Sequence, residues 1–252
     1  MEPALKVIQL SSAYRKTLVL ENVSFEVSKG TLTGIVGPNG AGKSTLIKTI
    51  LNLHPPVTGH VSFFGKPYSA MKKKISYVPQ RSSVDWDFPT NALDVVMMGL
   101  YGDIGWIRWP GRNHRRKAME ALEQMGMADF AARQINQLSG GQKQRVFLAR
   151  ALVQNADLYF MDEPLAGVDA ATERKIMDTL KELKREGKTV LVVHHDLQTV
   201  KEYFDNVLLL LNQTVIAHGK TENVFREPYI GQTYGGKLPF FERRAEDVLV
   251  SP

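Results

Sequence analysis

The sequence has no cysteine, which excludes disulfides and thiolate metal sites and agrees with a reducing compartment. It also lacks any apolar run near the roughly 18 to 20 residues that a membrane-spanning helix needs. Its richest runs, Thr189–Val193 and Val207–Leu211, have the length of strands. The opening MEPALKVIQL has no basic segment followed by a long apolar one, so secretion by a signal peptide is not expected. Internal repeats and low-complexity tracts are absent. The six histidines show no close metal-ligand spacing beyond the adjacent pair His194 and His195. What is present is ample for a core: 252 residues, 43% of them hydrophobic, enough for one domain with an inserted lobe. The net charge of +6 suits an anionic lipid surface, a nucleotide or a nucleic acid, and ranks none of them.

Hydrophobic periodicity sketches the organisation. Leu5–Leu10 and Val23–Val27 alternate like half-buried strands, and Leu32–Val36 reads as a buried one. The run Gly37–Gly42 then opens a helix to about Leu51. Further strands are expected at His60–Phe64 and Ile75–Val78. From Pro89 to Gln154 the character is helical, with Asn91–Gly99, Asn113–Met125 and Gly141–Gln154 as candidates and a loop at Tyr101–Gly111. Strand-length runs return at Leu158–Met161, Val190–Val193, Val207–Leu211 and Val215–Ala217, with an amphipathic helix Ala170–Glu186 ended by Gly187. The expected organisation is an α/β core at 1–88 and 155–220, a helical insertion at 89–154 and an irregular extension at 221–252.

Three motifs carry chemistry. Gly37-Pro38-Asn39-Gly40-Ala41-Gly42-Lys43-Ser44 fits G-x-x-x-x-G-K-[ST], followed by Thr45. Its glycines let successive amide N–H groups converge on phosphate oxygens, and the helix that follows adds its positive end. In this motif the lysine reaches the β- and γ-phosphates and the serine ligates magnesium. The second motif is Leu158-Tyr159-Phe160-Met161-Asp162-Glu163, an apolar strand that delivers two carboxylates to its C-terminal end, where open α/β sheets bind ligands. Asp162 is the candidate magnesium holder and Glu163 the candidate base for an attacking water. The third is Leu138-Ser139-Gly140-Gly141-Gln142, which opens a helix and reads either as a second anion site of bare amides or as a serine cap with a flexible glycine pair.

Taken together, these motifs resemble the ATP-binding-cassette (ABC) ATPases, whose signature is LSGGQ, and the likeness covers about residues 5–220. The resemblance implies a P-loop NTPase fold with a RecA-like core, an antiparallel β subdomain and an inserted helical subdomain. It implies ATP and Mg²⁺ as ligands. Tyr14 falls where the family stacks an aromatic on adenine, although a tyrosine at a strand edge has the same pattern. Gln80 matches the family's magnesium-touching glutamine, although by itself it reads equally as a surface amide, and the segment Leu165–Asp169 matches the family's loop between protomers, with Asp169 also a candidate helix cap. His195, ahead of Asp196, corresponds to the γ-phosphate sensor, with a purely structural histidine as the other reading. The family also implies head-to-tail pairing of two chains, so that Ser139, Gly140, Gly141 and Gln142 of one close on nucleotide held by Gly37–Ser44 of the other.

Cargo rests on less. Gln80–Pro89 alternates apolar and acidic residues, so that Val84, Trp86 and Phe88 are expected to share a face of an extended segment. With Asp94–Gly99 this region is similar to ATP-binding subunits of prokaryotic importers for manganese, zinc and iron chelates, manganese most of all. That likeness implies a membrane permease as direct partner, an extracytoplasmic metal-binding protein as indirect partner, no nucleic acid, and a peripheral place on the cytoplasmic face of the membrane. The alternatives are a soluble ABC ATPase of DNA repair or translation and a nucleotide-binding module without catalysis. The single phosphate loop, the single LSGGQ and the absence of a long coiled-coil insertion weigh against the first. Intact Lys43, Asp162, Glu163 and His195 weigh against the second. The basic run at Arg108, Arg112, Arg115, Arg116 and Lys117 suits either a solvated helix face or anionic head groups.

Overall fold

A computed structural model describes residues 2–105 and 109–234. Arg108 and the stretch 235–252 therefore lie outside the described residues. In chain order, the first part comprises β1 (Leu5–Tyr14), β2 (Thr17–Val27), β3 (Leu32–Val36), α1 (Lys43–Ile50) and β4 (Thr58–Phe63). Next come α2 (Tyr68–Met71), β5 (Ile75–Val78), α3 (Ala92–Met98), α4 (Tyr101–Ile104), α5 (Arg112–Gln124), α6 (Gly140–Leu152), β6 (Leu158–Asp162), α7 (Ala170–Arg185) and β7 (Thr189–Val193). The last described elements are α8 (Val200–Tyr203), β8 (Asn206–Leu211), β9 (Thr214–Lys220), α9 (Thr221–Val224) and α10 (Glu227–Tyr234). The chain divides into two compact units, residues 1–65 with 193–252, and residues 66–192.

The first unit contains an antiparallel sheet in the order β2-β1-β4 and, in a second sheet, the run β3-β8-β9. Both β1 and β2 are about twice as long as alternation alone indicates, and each owes this to a bulge. In β1 the buried positions are Leu5 and Val7, then Leu10 and Ser12; in β2 they are Leu20, then Val23, Phe25 and Val27. The phase slips by one residue at Gln9 (φ 48°) and Asn22 (φ 49°), so a strict period of two is interrupted within a continuous strand. Serine side chains compensate for the lost ladder bonds: Ser24 Oγ accepts from Gln9 N at 2.8 Å and Ser11 Oγ from Asn22 N at 3.0 Å. Strand β3 pairs in parallel with β8, and β8 in antiparallel with β9. Every residue of β3 is buried, the pattern of a strand covered on both faces. Val224, Phe225 and Ile230 anchor α9 and α10 in this unit, so the extension packs at least through Tyr234.

In the second unit β5 pairs in parallel with β6, and β7 lies next to β6. Helices α3, α5 and α6 pack on one another, burying Leu93, Val95 and Val96, Ala118 and Leu122, and Val146, Phe147 and Leu148. Asn91 caps α3 by accepting from Asp94 N at 2.8 Å. Helix α7 buries Ile176, Met177, Leu180 and Leu183 along one stripe. It ends at Gly187 in the left-handed region (φ 79°). The expected extended segment at Val84–Phe88 does not form a strand. A 3₁₀ turn at Arg81–Ser83 ends the extended chain, and Asp85 Oδ1 accepts from Asp87 N at 3.0 Å, a local turn that competes with any ladder.

Candidate nucleotide site

In the first unit the buried strand β3 leads into the phosphate loop, and α1 starts immediately after it. Gly42 is the cap residue of α1, with φ 100° and no side-chain cap, and the first turn carries no acidic residue. No acidic side chain of that first turn competes for the amides at this helix start, the arrangement that receives an anion. Glycine is needed at Gly37 for a separate reason: a β-carbon there would lie 2.1 Å from the Leu210 carbonyl oxygen. Lys43 is buried, 6% exposed, and its Nζ donates to the carbonyls of Gly37 (2.7 Å) and Pro38 (2.9 Å). The ammonium is thus folded back across the mouth of its own loop. Ser44 and Thr45 follow on α1 and are half-buried. Asn39 and Gly40 form the exposed rim of the loop, whereas Ala41 is buried. Tyr234, at the end of α10, is driven up to about 12 by burial and lies beside Gly37.

Tyr14 ends β1, is 47% exposed, and stacks on His54 with ring centroids 4.1 Å apart. One face of the phenol is therefore covered by imidazole, and His54 Nε2 lies 3.1 Å from the Ala13 carbonyl oxygen. The adjacent histidines after β7 separate cleanly. His194 is buried, its backbone N–H donating to Ile35 O at 3.0 Å and its Nε2 lying 2.8 Å from Thr199 Oγ1. Burial, and then the neighbouring His195, lower its pKa to about 4, so it is neutral at physiological pH. His195 is exposed, where it can meet a ligand.

In the second unit, β6 carries Asp162 fully buried at its end. Burial, and then the Asp162 charge, push the Tyr77 phenol well above its ordinary range. Glu163 follows with φ 53°, a left-handed conformation that costs a non-glycine residue on the order of 1–2 kcal/mol. Its Oε2 accepts from Gln80 Nε2 at 2.8 Å. The amide nitrogen thereby orients the carboxylate, leaving the Gln80 carbonyl oxygen available to a cation. Beyond Gly167 (φ 66°), Asp169 caps α7 through Thr172 N (2.8 Å) and Thr172 Oγ1 (3.1 Å). Those two bonds, the backbone one first, lower the Asp169 pKa.

Ser139 and Gln142 form a reciprocal capping box on α6: Ser139 Oγ accepts from Gln142 N at 3.3 Å, and Gln142 Oε1 from Ser139 N at 2.9 Å. The amides of Gly140 and Gly141 take no part in that box. Of the two readings of this motif, the geometry shows the cap. Sequence reasoning passed over Arg81 and His54, which become noticeable only through contacts. The Arg81 guanidinium lies against Gly140, 59 positions away in the chain, and His54 is 40 positions from Tyr14.

These residues suit a magnesium nucleotide. Taken each by itself, the first unit offers the Ser44 hydroxyl, and the second the Gln80 amide and Asp162 carboxylate oxygens. Among the described residues no group of three or more His, Cys, Asp or Glu could hold a metal by itself.

A glycine phosphate loop between a buried strand and a helix, in an α/β fold, defines a P-loop NTPase. A sequence profile described as ABC transporter matches residues 20–166. The chain is 61% identical over 230 residues to the manganese transport system ATP-binding protein of Bacillus subtilis, covering 91% of this chain and 92% of that one. It is 57% identical over 235 residues to the zinc transport system ATP-binding protein of Treponema pallidum, covering 93% and 88%. Among solved structures, an inward-facing putative metal-chelate type ABC transporter aligns with a TM-score of 0.82 at 28% identity, covering 92% and 89%. A dimeric ATP-binding cassette in a post-hydrolysis state with ADP and Pi aligns with a TM-score of 0.76 at 31% identity, covering 86% and 98%. The chain belongs to the ABC transporter family, as an ATP-binding subunit with ATPase activity.

Proposed function

We propose that this chain hydrolyses ATP as one half of a head-to-tail pair and so drives import of a divalent transition metal, manganese foremost and zinc or iron next, through a membrane permease. The identity to manganese and zinc transport subunits over more than nine-tenths of the chain carries this reading. The dimeric state of the ADP-bound cassette supports the pairing. Among the described residues no helix is long and apolar enough to cross a membrane; in this reading the chain sits peripherally on the cytoplasmic face against a separate permease. Selection for the cargo belongs, in this reading, to the permease and its extracytoplasmic binding protein.

The geometry of each part supports these roles. Tyr14, backed by His54, offers its open face to adenine, a stack worth roughly 1–3 kcal/mol. The Gly37–Ser44 amides receive the phosphates, and Lys43 turns from its two carbonyls to the β- and γ-oxygens. Ser44, the Gln80 carbonyl and Asp162 are the residues that would hold magnesium. Bound magnesium would neutralise charge developing on the β- and γ-phosphate oxygens. Glu163 takes the proton of the attacking water while Gln80 holds the carboxylate through Oε2. The water oxygen bonds to the γ-phosphorus as the bond to the ADP oxygen breaks. His195 reads the γ-phosphate in the same chain, and Ser139, Gly140, Gly141 and Gln142 close on it from the other. Asp169 holds the loop at Leu165–Asp169 in register by capping α7. The functional subdivision follows the sequence: core at 1–88 and 155–220, helical part at 89–154, extension from 221.

The decisive experiment is uptake of Mn²⁺, Zn²⁺ and Fe²⁺ into vesicles containing this chain with its permease, energised by ATP on the cytoplasmic side. Uptake of manganese ahead of the others is expected. Uptake of only an unrelated solute would overturn the cargo assignment and leave the ATPase intact.

A further inference from the structure

We propose that Arg81 is a cationic member of the shared γ-phosphate site: each chain brings to its partner's nucleotide a guanidinium as well as the Ser139–Gln142 amides. The inference rests on the head-to-tail reading given above and adds to it a residue that the signature motif does not contain.

The observation is a contact. A β-carbon placed on Gly140 would lie 2.2 Å from Arg81 Nη1, 2.8 Å from Cζ and 3.1 Å from Nη2. The guanidinium therefore lies directly on the α-carbon of Gly140. The same Nη1 is 3.8 Å from where a β-carbon of Gly167 would be, so the group also faces the loop after Glu163. Both neighbouring glycines leave room for it.

Backbone and side chain are treated differently. The Arg81 carbonyl accepts from Trp86 Nε1 at 2.9 Å, and the Trp86 ring packs on Phe147 of α6 with centroids 4.8 Å apart. Lys143, one turn along the same helix, sits 5.3 Å from the Trp86 centroid. On its other side Arg81 adjoins Gln80, which is bonded to Glu163. The main chain is thus held at both ends, while the exposed guanidinium makes no hydrogen bond or ion pair among the described residues. The first turn of α6 has no acidic residue to neutralise it.

A permanently charged planar donor set, fixed at its base and resting beside Gly140 and Gly167, is matched to phosphate oxygens. A lysine would supply the charge without the fork. Glutamine would supply neither.

The test uses the full chain carrying Glu163→Gln, in which ATP should trap the closed pair. Arg81, Arg81→Lys and Arg81→Gln forms are compared by the ATP concentration needed for half-maximal dimerisation, measured by analytical ultracentrifugation at low and high salt. Arg81→Gln should need about tenfold more ATP, the scale of one charge-assisted hydrogen bond, with a weaker dependence on salt. Arg81→Lys should fall between the two and keep the salt dependence. A glutamine form that matches the parent within about twofold, or that weakens with its salt dependence unchanged, overturns the proposal. If Arg81→Gln does not fold, the lysine form decides: equality with the parent or loss of the salt dependence counts against Arg81. Failure of the parent itself to dimerise with ATP refutes the head-to-tail reading instead.

Discussion

At the scale of single residues, Glu163 combines a strained backbone with a one-sided hydrogen bond. A φ of 53° is tolerated because it turns the carboxylate out of the strand that buries its neighbour Asp162, and Gln80 then holds one oxygen. Glu163→Gln retains the shape and loses the base. We expect ATP to bind while turnover falls by at least about 10²-fold; phosphate release and equilibrium nucleotide binding, measured together, check it. Unchanged turnover would remove Glu163 from the chemistry. His194 supports a different prediction. Its folded pKa of about 4 lies below the ordinary value near 6.5, so the unfolded chain takes up a proton before the folded chain does. The stabilising contribution is complete above about pH 6.5 and is lost as pH falls towards about 4, at most roughly 3 kcal/mol in all. Melting temperatures from about pH 7.5 to about pH 5 should therefore fall, and His194→Gln should flatten that part of the slope. An identical slope in the variant would show that other groups carry it.

At the scale of elements, the segment between β5 and α3 repays attention to its two aromatics. Alternation places Trp86 and Phe88 on one face, and the local turn closed by Asp87 N on Asp85 Oδ1 separates them. Trp86 is half-buried on the α6 side, through Phe147 and Lys143, whereas Phe88 is 57% exposed. Trp86→Ala removes packing from the helix that begins at the signature motif, so it should lower thermal stability and ATP turnover together. Phe88→Ala has little packing to lose. It should reduce metal uptake several-fold more than it reduces hydrolysis, the mark of a permease contact, which paired uptake and phosphate-release assays on one reconstituted preparation would measure. Equal losses would assign Phe88 a role in folding. The strands β1 and β2 carry a related lesson about legibility. Their first or last halves are invisible to a period-two reading because the bulges at Gln9 and Asn22 shift the phase, and the serines that satisfy those bulges are common surface residues with no signal of their own.

At the scale of the whole molecule, one chain carries one phosphate loop and one signature loop, and in the family's pairing these serve different nucleotides. Hydrolysis should accordingly rise more steeply than linearly with protein concentration and show cooperativity in ATP, with a Hill coefficient approaching about 2 for two coupled sites. A stable monomer turning over ATP hyperbolically would contradict the pairing. Phosphate release across a dilution series, alongside sedimentation, distinguishes these outcomes.

The sequence by itself determined the class of chemistry. The spacing of Gly37, Gly42, Lys43 and Ser44, the acidic pair after an apolar strand, and LSGGQ are local patterns whose function follows from backbone geometry within a few residues, so they are legible without a fold. It also determined most helices and strands, because a buried face imposes its period on consecutive residues. Only the tertiary structure decided which of two adjacent histidines is buried and that Trp86 and Phe88 part company. It alone brought Gln80 to Glu163, His54 to Tyr14 and Arg81 to Gly140. Those pairs are separated by 40 to 83 positions in the chain, and such contacts are set by how elements pack, which leaves no periodic trace in the residues that make them.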